Sequence, residues 1–401
     1  MHGIRTTTKG FIAPIAPPNP LGAKYEDVIK TQYNMNKNNS VLRLTRQIFI
    51  CLLLLPSSSL LFAQTTDYNS WDHWDDICYC TMNNSYHPSS IVSADNNLQL
   101  LLALKNGLRR KQLDSLKIPY TKSQLLLLES YHLIEKTDGI YKTAIPILDI
   151  HQTARLREQS LLTANQIYPE IEKECRDLVA HLTNQNRARN AYSILFSYVL
   201  DGLIWDSFEK EGIVKAWDTT AIWSGNYWFL TPKRAIDCGG TNYSTNGNFA
   251  FKWNWSYAEK VTGGLWDKNI EALFPFAQGN ICANKEIVDE FAQYGFFDKD
   301  SRLTIPVINE KENNSLYLLS KSITNRLLSA FIARANVEQL KTAYNFNDNS
   351  ETVVVFYHEV MFDLMDLLTK KQVIQLPTAF QNPDKATLTD AADLCFIVIS
   401  E

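Results

Sequence analysis

The chain of 401 residues lacks most of the features that identify an enzyme or a nucleic-acid-binding protein. It has only seven cysteines, too few for a disulfide-built scaffold of this length. Its formal net charge of −4 gives no general attraction to nucleic acid or to an anionic membrane. The sequence contains no glycine-rich phosphate loop, no nucleophile elbow and no dinucleotide fingerprint. These absences leave no motif that points to nucleotide-dependent catalysis.

Metal and nucleophile motifs are incomplete as well. His358-Glu359 opens like a zinc-protease helix, but Phe362 stands where the second histidine is required. The acidic tract at 72–80 lacks the separated ligand pairs of a structural zinc site. Cys238 precedes two glycines, but no histidine base lies near it in the sequence. We therefore expect no catalytic residue, no metal and no cofactor, and the sequence favours a non-enzymatic protein.

A hydrophobic run long enough to span a membrane is also missing. The apolar stretch at 47–63 is short and contains Pro56. Basic Arg43 and Arg46 precede it, and Ala63 stands before Gln64, the order of a cleavable signal peptide. An uncleaved anchor is the alternative. We expect an exported protein, periplasmic, outer-surface or secreted, with no stable membrane span after signal cleavage.

The signal is expected to cover residues 35–63, and 34 residues precede Met35. Residues 1–34 show no helical or strand period, so a non-native lead before the true start at Met35 is the simplest interpretation. A genuine disordered cytoplasmic lead is the alternative. Residues 64–93 are rich in Asn, Asp and Ser and are predicted to be a linker.

The chain changes character at Leu98. The apolar run at 98–104 predicts a buried helix that ends at Gly107, and a second short helix follows at 109–116. Thr121 stands three residues before Gln124, a capping-box spacing that predicts a third helix. The turn at 138–139 then separates two alternating segments, which predicts a β-hairpin.

Three short helices followed by a hairpin resemble the winged helix-turn-helix fold of bacterial regulators over residues 96–148. The resemblance is one of pattern and no invariant motif carries it. It implies a DNA-binding recognition helix, but that helix offers only Lys122 as a cation. In a second copy the corresponding helix places Lys285 beside three carboxylates, which would repel phosphate. The sequence therefore favours a structural or protein-binding use of the fold and no nucleic-acid partner.

An internal repeat is the main organisational signal. Pro146 and Pro306 lie 160 residues apart, and Asp149 with Gln152 matches Asn309 with Glu312 as a helix start. Further matches at this offset are Leu156 with Leu316, Ile171 with Phe331, Phe196 with Phe356, and Ile213-Val214 with Val373-Ile374. Before the prolines the offset is 163, because the second hairpin is three residues shorter, and Thr121 then matches Asn284.

The repeat predicts an α+β, mainly helical protein of two tandem, divergent winged-helix-like units, each of three helices plus a β-hairpin and then two longer helices. We expect unit 1 at 94–216, an aromatic β-hairpin insertion at 217–264, unit 2 at 265–377, and a tail with a possible strand at 378–401. In unit 1 the longer helices are predicted near 150–183, kinked or split by Pro169, and near 188–211.

Aromatic side chains alternate along the inserted hairpin at Phe249, Phe251, Trp253, Trp255 and Tyr257. Five aromatics on one strand face are typical of a buried sheet face. The alternative is a glycan-binding platform.

The candidate ligand-binding residues of that platform are Trp253, Trp255, Tyr257, Asn242 and Asn254. After cleavage six cysteines remain, and Cys238–Cys282 is the first candidate disulfide because both residues flank the hairpin. The sequence favours an exported binding or scaffold protein with a protein or cell-envelope partner. A glycan-binding module and an exported hydrolase of unknown type are the alternatives.

Overall fold

The computed structural model describes residues 70–80, 88–216, 218, 225–234, 239–254, 258–311 and 313–400. The expected signal peptide at 35–63 and the lead at 1–34 lie outside these residues. The described part of the chain is mainly helical α+β, as the sequence predicts, with three small sheets. Within it, every helix is too short or too polar to cross a membrane.

The first half starts with a strand and a compact head, which we call head 1 (residues 88–148). Its elements in chain order, from the strand that precedes it, are β1 (Trp74–Cys80), α1 (Pro88–Val92), α2 (Asn97–Leu104), β2 (Leu108–Arg109), α3 (Arg110–Ser115), α4 (Lys122–Ser130), β3 (Ile134–Thr137) and β4 (Ile140–Thr143). The last three strands form one antiparallel sheet in the order β2–β4–β3. The three helices and the hairpin that the sequence predicts are all present.

Local sequence signals explain where these elements begin and turn. Thr121 accepts a hydrogen bond from the backbone N–H of Gln124, and the Gln124 side chain accepts one from the N–H of Thr121. This is the predicted capping box, and it starts α4. Asp138 and Gly139 both have positive φ, as a two-residue hairpin turn requires.

Two long helices follow head 1. Helix α5 (Ile150–Asn184) starts at Asp149, whose side chain accepts from the backbone N–H of Gln152. Pro169 lies inside α5 without splitting it. Helix α6 consists of three consecutive segments, Ala191–Ser193, the π-helical Ile194–Leu203 and Ile204–Lys210. Strand β5 (Gly225–Pro232) then pairs with β1 and completes the half.

The second half has its own head, which we call head 2 (residues 258–306). The elements of this half are β6 (Thr241–Asn246), β7 (Phe249–Asn254), α7 (Glu259–Thr262), α8 (Lys285–Ala292), β8 (Val307–Asn309), α9 (Ser315–Arg334), α10 (Val337–Tyr344), α11 (Asn349–Lys370), α12 (Thr378–Gln381), α13 (Ala391–Leu394) and β9 (Cys395–Ile399). Its sheet has the order β6–β7–β9–β8, with β8 parallel to β9. Strand β9 is the strand predicted at the end of the chain.

Each head ends in a hairpin, which is two four-residue strands in head 1 and is closed by a single β-bridge in head 2. Ile134 pairs with Thr143 in head 1, and Phe297 pairs with Leu303 in head 2. The second loop is three residues shorter, as the sequence predicts. A proline follows each hairpin, and its carbonyl oxygen accepts a hydrogen bond from a strand far along the chain. Pro146 O accepts from Leu230 N at 3.0 Å, and Pro306 O accepts from Ile397 N at 2.9 Å.

The later elements match equally closely. Tyr198 and Phe396 meet edge to face with ring centroids 6.2 Å apart, and the equivalent pair His358 and Phe229 meets at 6.0 Å. Helices α6 and α11 end in the same way, since Gly212 and Gln372 both adopt a left-handed conformation. The common order therefore extends from β1 to β5 in one half and from β7 to β9 in the other.

One predicted helix start is wrong. Asn309 does not cap a helix, because it ends β8 and pairs with β9. Helix α9 begins only at Ser315, and the side chain of Asn314 accepts from the backbone N–H of Tyr317. Residues that would form the first helical turn are used instead for strand pairing. Glu312 lies outside the described residues.

Two predicted segments also differ from the structure. Residues 64–93 are not simply a linker, because β1 lies within them and Trp74 is buried. Its strand conformation depends on a partner about 150 residues away, so no local period reveals it. The segment at 217–264 is not a separate insertion. It contains β5, which completes the first half, and β7, which begins the second.

The two halves share one hydrophobic core, because the long helices of one half pack on the long helices of the other. Helix α5 packs on α11, and α9 packs on α6. Helices α5 and α9 also lie side by side in opposite directions, joined by Glu174–Arg326 and Glu170–Arg334 ion pairs. Each half thus covers apolar surface of the other. A second core lies under head 2 on the far face of β7.

Candidate functional site

The described part of the predicted aromatic face, residues 249–254, faces the interior. Phe251 and Trp253 are buried in the second core, and Trp253 packs against the Trp266 ring at 4.9 Å. This is the interpretation that the sequence favours, in which the face packs as core. Asn254 is also fully buried, and Asn242 on β6 is half-buried.

Of the remaining residues that the sequence predicts as binding or disulfide residues, the structure describes only Cys282. Trp255 and Tyr257 lie outside the described residues, so a glycan platform built on them stays a prediction. Cys282 is buried, and its Sγ lies 3.5 Å from the carbonyl oxygen of Asn284. Cys238 lies outside the described residues, and its pairing with Cys282 stays a prediction.

A buried ionic cluster lies where α5, α11 and the chain after β5 meet. Glu359, whose side chain has no exposed surface, receives Arg157 Nε at 3.1 Å and Arg234 Nε at 2.9 Å. Arg234 also reaches Asp363 at 3.3 Å, and Asp363 accepts from Ser160. Two cations therefore face two carboxylates in a nearly closed interior.

This cluster joins the two halves of the chain, and we call it the buried clamp. Arg157 comes from α5 and also donates to Pro232 O at 2.8 Å, at the end of β5. Burial raises the pKa of Asp363, and the nearby Arg234 guanidinium opposes that rise. Each charged group is therefore paired with a group from the same cluster, as a buried ionic network requires.

A second polar cluster surrounds the π-helical segment of α6. Asp201 departs from helical geometry and accepts from Trp205 Nε1 at 3.1 Å and from Thr241 Oγ1 at 2.6 Å. The Trp205 ring lies 4.9 Å from the imidazole of His358, which is buried. Burial lowers the pKa of His358, while Asp201 opposes this effect. π-Helical turns are often found at functional sites, so this cluster is a candidate functional site.

Lys252 extends the second cluster. Its Nζ lies 5.9 Å from the centre of the Tyr198 ring, and Tyr198 donates to Glu310 at 2.8 Å. Burial lowers the pKa of Lys252, and the carboxylates of Asp206, Glu310 and Asp201 oppose this effect. A buried amine can serve as a nucleophile only where a substrate can reach it.

The two described grooves do not provide that access. One has a volume of about 560 Å³ and is lined by the end of β9 and by residues such as Asn248 and Lys311. The other, about 490 Å³, lies between α5 and α9 and includes Arg326 and Arg334. Neither is lined by a member of the two buried clusters. Among the described residues, no group of three His, Cys, Asp or Glu side chains could hold a metal ion.

The outward face of α4 has a different character. Leu125 and Leu128 point into head 1, whereas Leu126 is 63% exposed and Leu127 is 38% exposed. Exposed cations lie on α4 and on the chain just before it: Arg109, Arg110, Lys111, Lys117 and Lys122. The helical period of the sequence predicts Leu125, Leu128 and Tyr131 on the buried face of this helix; both leucines are buried, and Tyr131 is half-buried.

The equivalent face of α8 in head 2 is acidic. Glu286 and Asp289 are exposed, and Glu290 forms a 3.2 Å ion pair with Lys268. Ile281, three residues before the capping Asn284, is 55% exposed. Helix α8 therefore has a net charge of −2, whereas α4, which contains Lys122 and Glu129, has none.

The buried ionic cluster escaped the sequence analysis because its members come from three distant segments. His358-Glu359 was the only visible trace, and it suggested a metal motif. Comparison of the chain with protein-family models, with curated proteins and with solved structures finds no match.

Proposed function

We propose that this chain is an exported, non-enzymatic binding or scaffold protein whose head 1 binds a protein partner through the outward face of α4. The observation that carries the proposal is the exposure of Leu126 and Leu127 side by side on this helix. Apolar side chains rimmed by polar ones are typical of protein-binding surfaces. That partner is a soluble protein or a protein of the cell envelope.

The surrounding charge indicates the chemistry of the partner. Lys111, Lys117 and Lys122 form no ion pair with any described residue. A segment that combines apolar and acidic side chains would cover the leucines and pair with these cations. Duplex DNA suits the face poorly, since α4 itself carries one cation and two exposed leucines.

Head 1 supports this use as a winged-helix-like module. Its three helices and its β2–β4–β3 sheet support a proposal in which α4 takes the role of a recognition helix. An enzymatic function has less support, because the buried titratable groups of the described chain do not line either groove. The glycan alternative rests on Trp255 and Tyr257.

A photo-crosslinking residue in place of Leu126 tests the proposal in cells that export the protein. Leu162 is the matched control position, since it is 60% exposed on α5 but lies outside the head. We expect a protease-sensitive adduct from position 126 and none from position 162. No adduct at 126, equal adducts at both positions, or a nuclease-sensitive adduct would contradict the proposal.

A further inference from the structure

We propose that the partner of the α4 face is a second copy of this chain, which binds with the α8 face of its head 2. The inference rests on the proposed function and names the partner. It starts from the matching positions of α4 and α8. Thr121 and Asn284 cap these helices, and a hairpin followed by a proline comes after each.

The charges of the two faces are opposite. Residues 109–130 contain five cations and two anions, whereas the equivalent residues 272–293 contain one cation and three anions. Because these equivalent segments carry opposite net charge, each face attracts the other and repels a second copy of itself.

The apolar groups of the two faces also fit this arrangement. Leu126 and Leu127 are exposed on α4, and Ile281 is exposed beside the start of α8. Glu286 and Asp289 form no ion pair with the described chain, so they are available to lysines of another copy. The interface would have an apolar centre with a charged rim.

The two faces lie in different halves, so the contact is head-to-tail. A copy that engages its α4 face still has a free α8 face, and the partner has a free α4 face. Such heterologous contacts produce closed rings or open filaments, not simple two-fold dimers. Oligomers larger than dimers are therefore expected as concentration rises.

Sedimentation velocity of the chain starting at Gln64 tests this at about 0.1 M and about 1 M salt, where the Debye length falls from about 10 Å to about 3 Å. We expect concentration-dependent oligomers at low salt and a clear shift to monomer at high salt. A protein that stays monomeric at every concentration, or oligomers that ignore salt, would overturn the inference.

Charge reversal supplies the sharper test. The double variant Lys111→Glu/Lys122→Glu makes both faces acidic, and Glu286→Lys/Asp289→Lys makes both basic. Each variant alone should associate at least about tenfold more weakly than the wild type, and mixing the two should restore association. Lys385→Glu, an exposed change outside both heads, is the matched control and should leave association unchanged. Thermal unfolding would verify that all variants fold.

The outcomes separate the two proposals. Failure of the mixed variants to associate, with both folded, overturns the self-association inference. An adduct from position 126 to a different protein also overturns it, yet leaves the proposed binding function intact. An adduct of this chain with itself, lost in Glu286→Lys/Asp289→Lys, supports both.

Discussion

At the scale of single residues, the described interior is unusual for the charge it holds. Helix α11 buries Glu359, Asp363 and His358 among apolar side chains. The partners of the two carboxylates come from the other half of the chain, so these ion pairs join the two halves. Burying charge is costly, and the cost is offset only while each group keeps its partner.

Replacing Glu359 by Gln is expected to destabilise the protein by about 3–5 kcal/mol, because Arg157 and Arg234 would lose a buried counter-charge. Urea unfolding followed by circular dichroism measures this change. The matched control is Asp366→Asn, which removes a partly exposed partner of Lys370 on the same helix. That change should cost less than about 0.5 kcal/mol. Similar losses in the two variants would contradict the buried clamp.

His358 makes stability depend on pH. Its pKa is lowered in the folded protein from the ordinary value of 6.5, so the unfolded chain binds more protons in the interval between the two values. This contribution is fully present above about pH 6.5 and is lost as pH falls through the folded pKa. In His358→Phe, the increase in unfolding free energy between about pH 5 and pH 7 should be smaller than in the wild type. Equal pH dependence in both proteins would exclude this role.

At the scale of elements, equivalent helices of the two halves end with the same backbone conformation but with different residues. Helices α6 and α11 both end in a left-handed residue, which is Gly212 in one half and Gln372 in the other. The following N–H returns to the helix in each case, with Ile213 N 2.8 Å from Phe208 O and Val373 N 2.9 Å from Leu368 O. The backbone is shared although the residue is not.

Exchanging these residues should therefore have opposite effects. Gln372→Gly is expected to stabilise the protein by about 1 kcal/mol, because a left-handed conformation costs a residue with a Cβ about that much. Gly212→Gln should destabilise it by a similar amount through conformation alone, since nothing lies within 4 Å of its Cβ position. Unfolding midpoints at constant m-value measure both. Changes of the same sign would show that the two helix ends are not equivalent.

The sequence predicted local elements well and long-range pairing poorly. The capping boxes at Thr121 and Asp149, the hairpin at 138–139 and the strand at the end of the chain all rest on signals a few residues apart. Strand β1 could not be recognised, because its strand form depends on pairing with β5. The start of α9 was misplaced because β8 takes the residues before it, and only the position of β9 explains that.

At the scale of the whole molecule, export is the first expectation. The basic, apolar and small-residue order at 43–63 predicts cleavage after Ala63. Amino-terminal sequencing of the protein recovered from cells should begin at or near Gln64. Recovery of residues 1–60 in the mature protein would contradict the predicted signal peptide.

A thiol titration of the same sample would test the predicted Cys238–Cys282 bridge.

The central structural claim is that neither half is complete alone, since α5 packs on α11 and α9 on α6. Native-state hydrogen exchange tests it most directly at two equivalent amides, Leu230 N, which donates to Pro146 O, and Ile397 N, which donates to Pro306 O. If the halves unfold together, both amides should exchange with the same free energy, within about 1 kcal/mol. If one amide exchanges through an opening several kcal/mol below the other, one half unfolds by itself, and the shared core is contradicted.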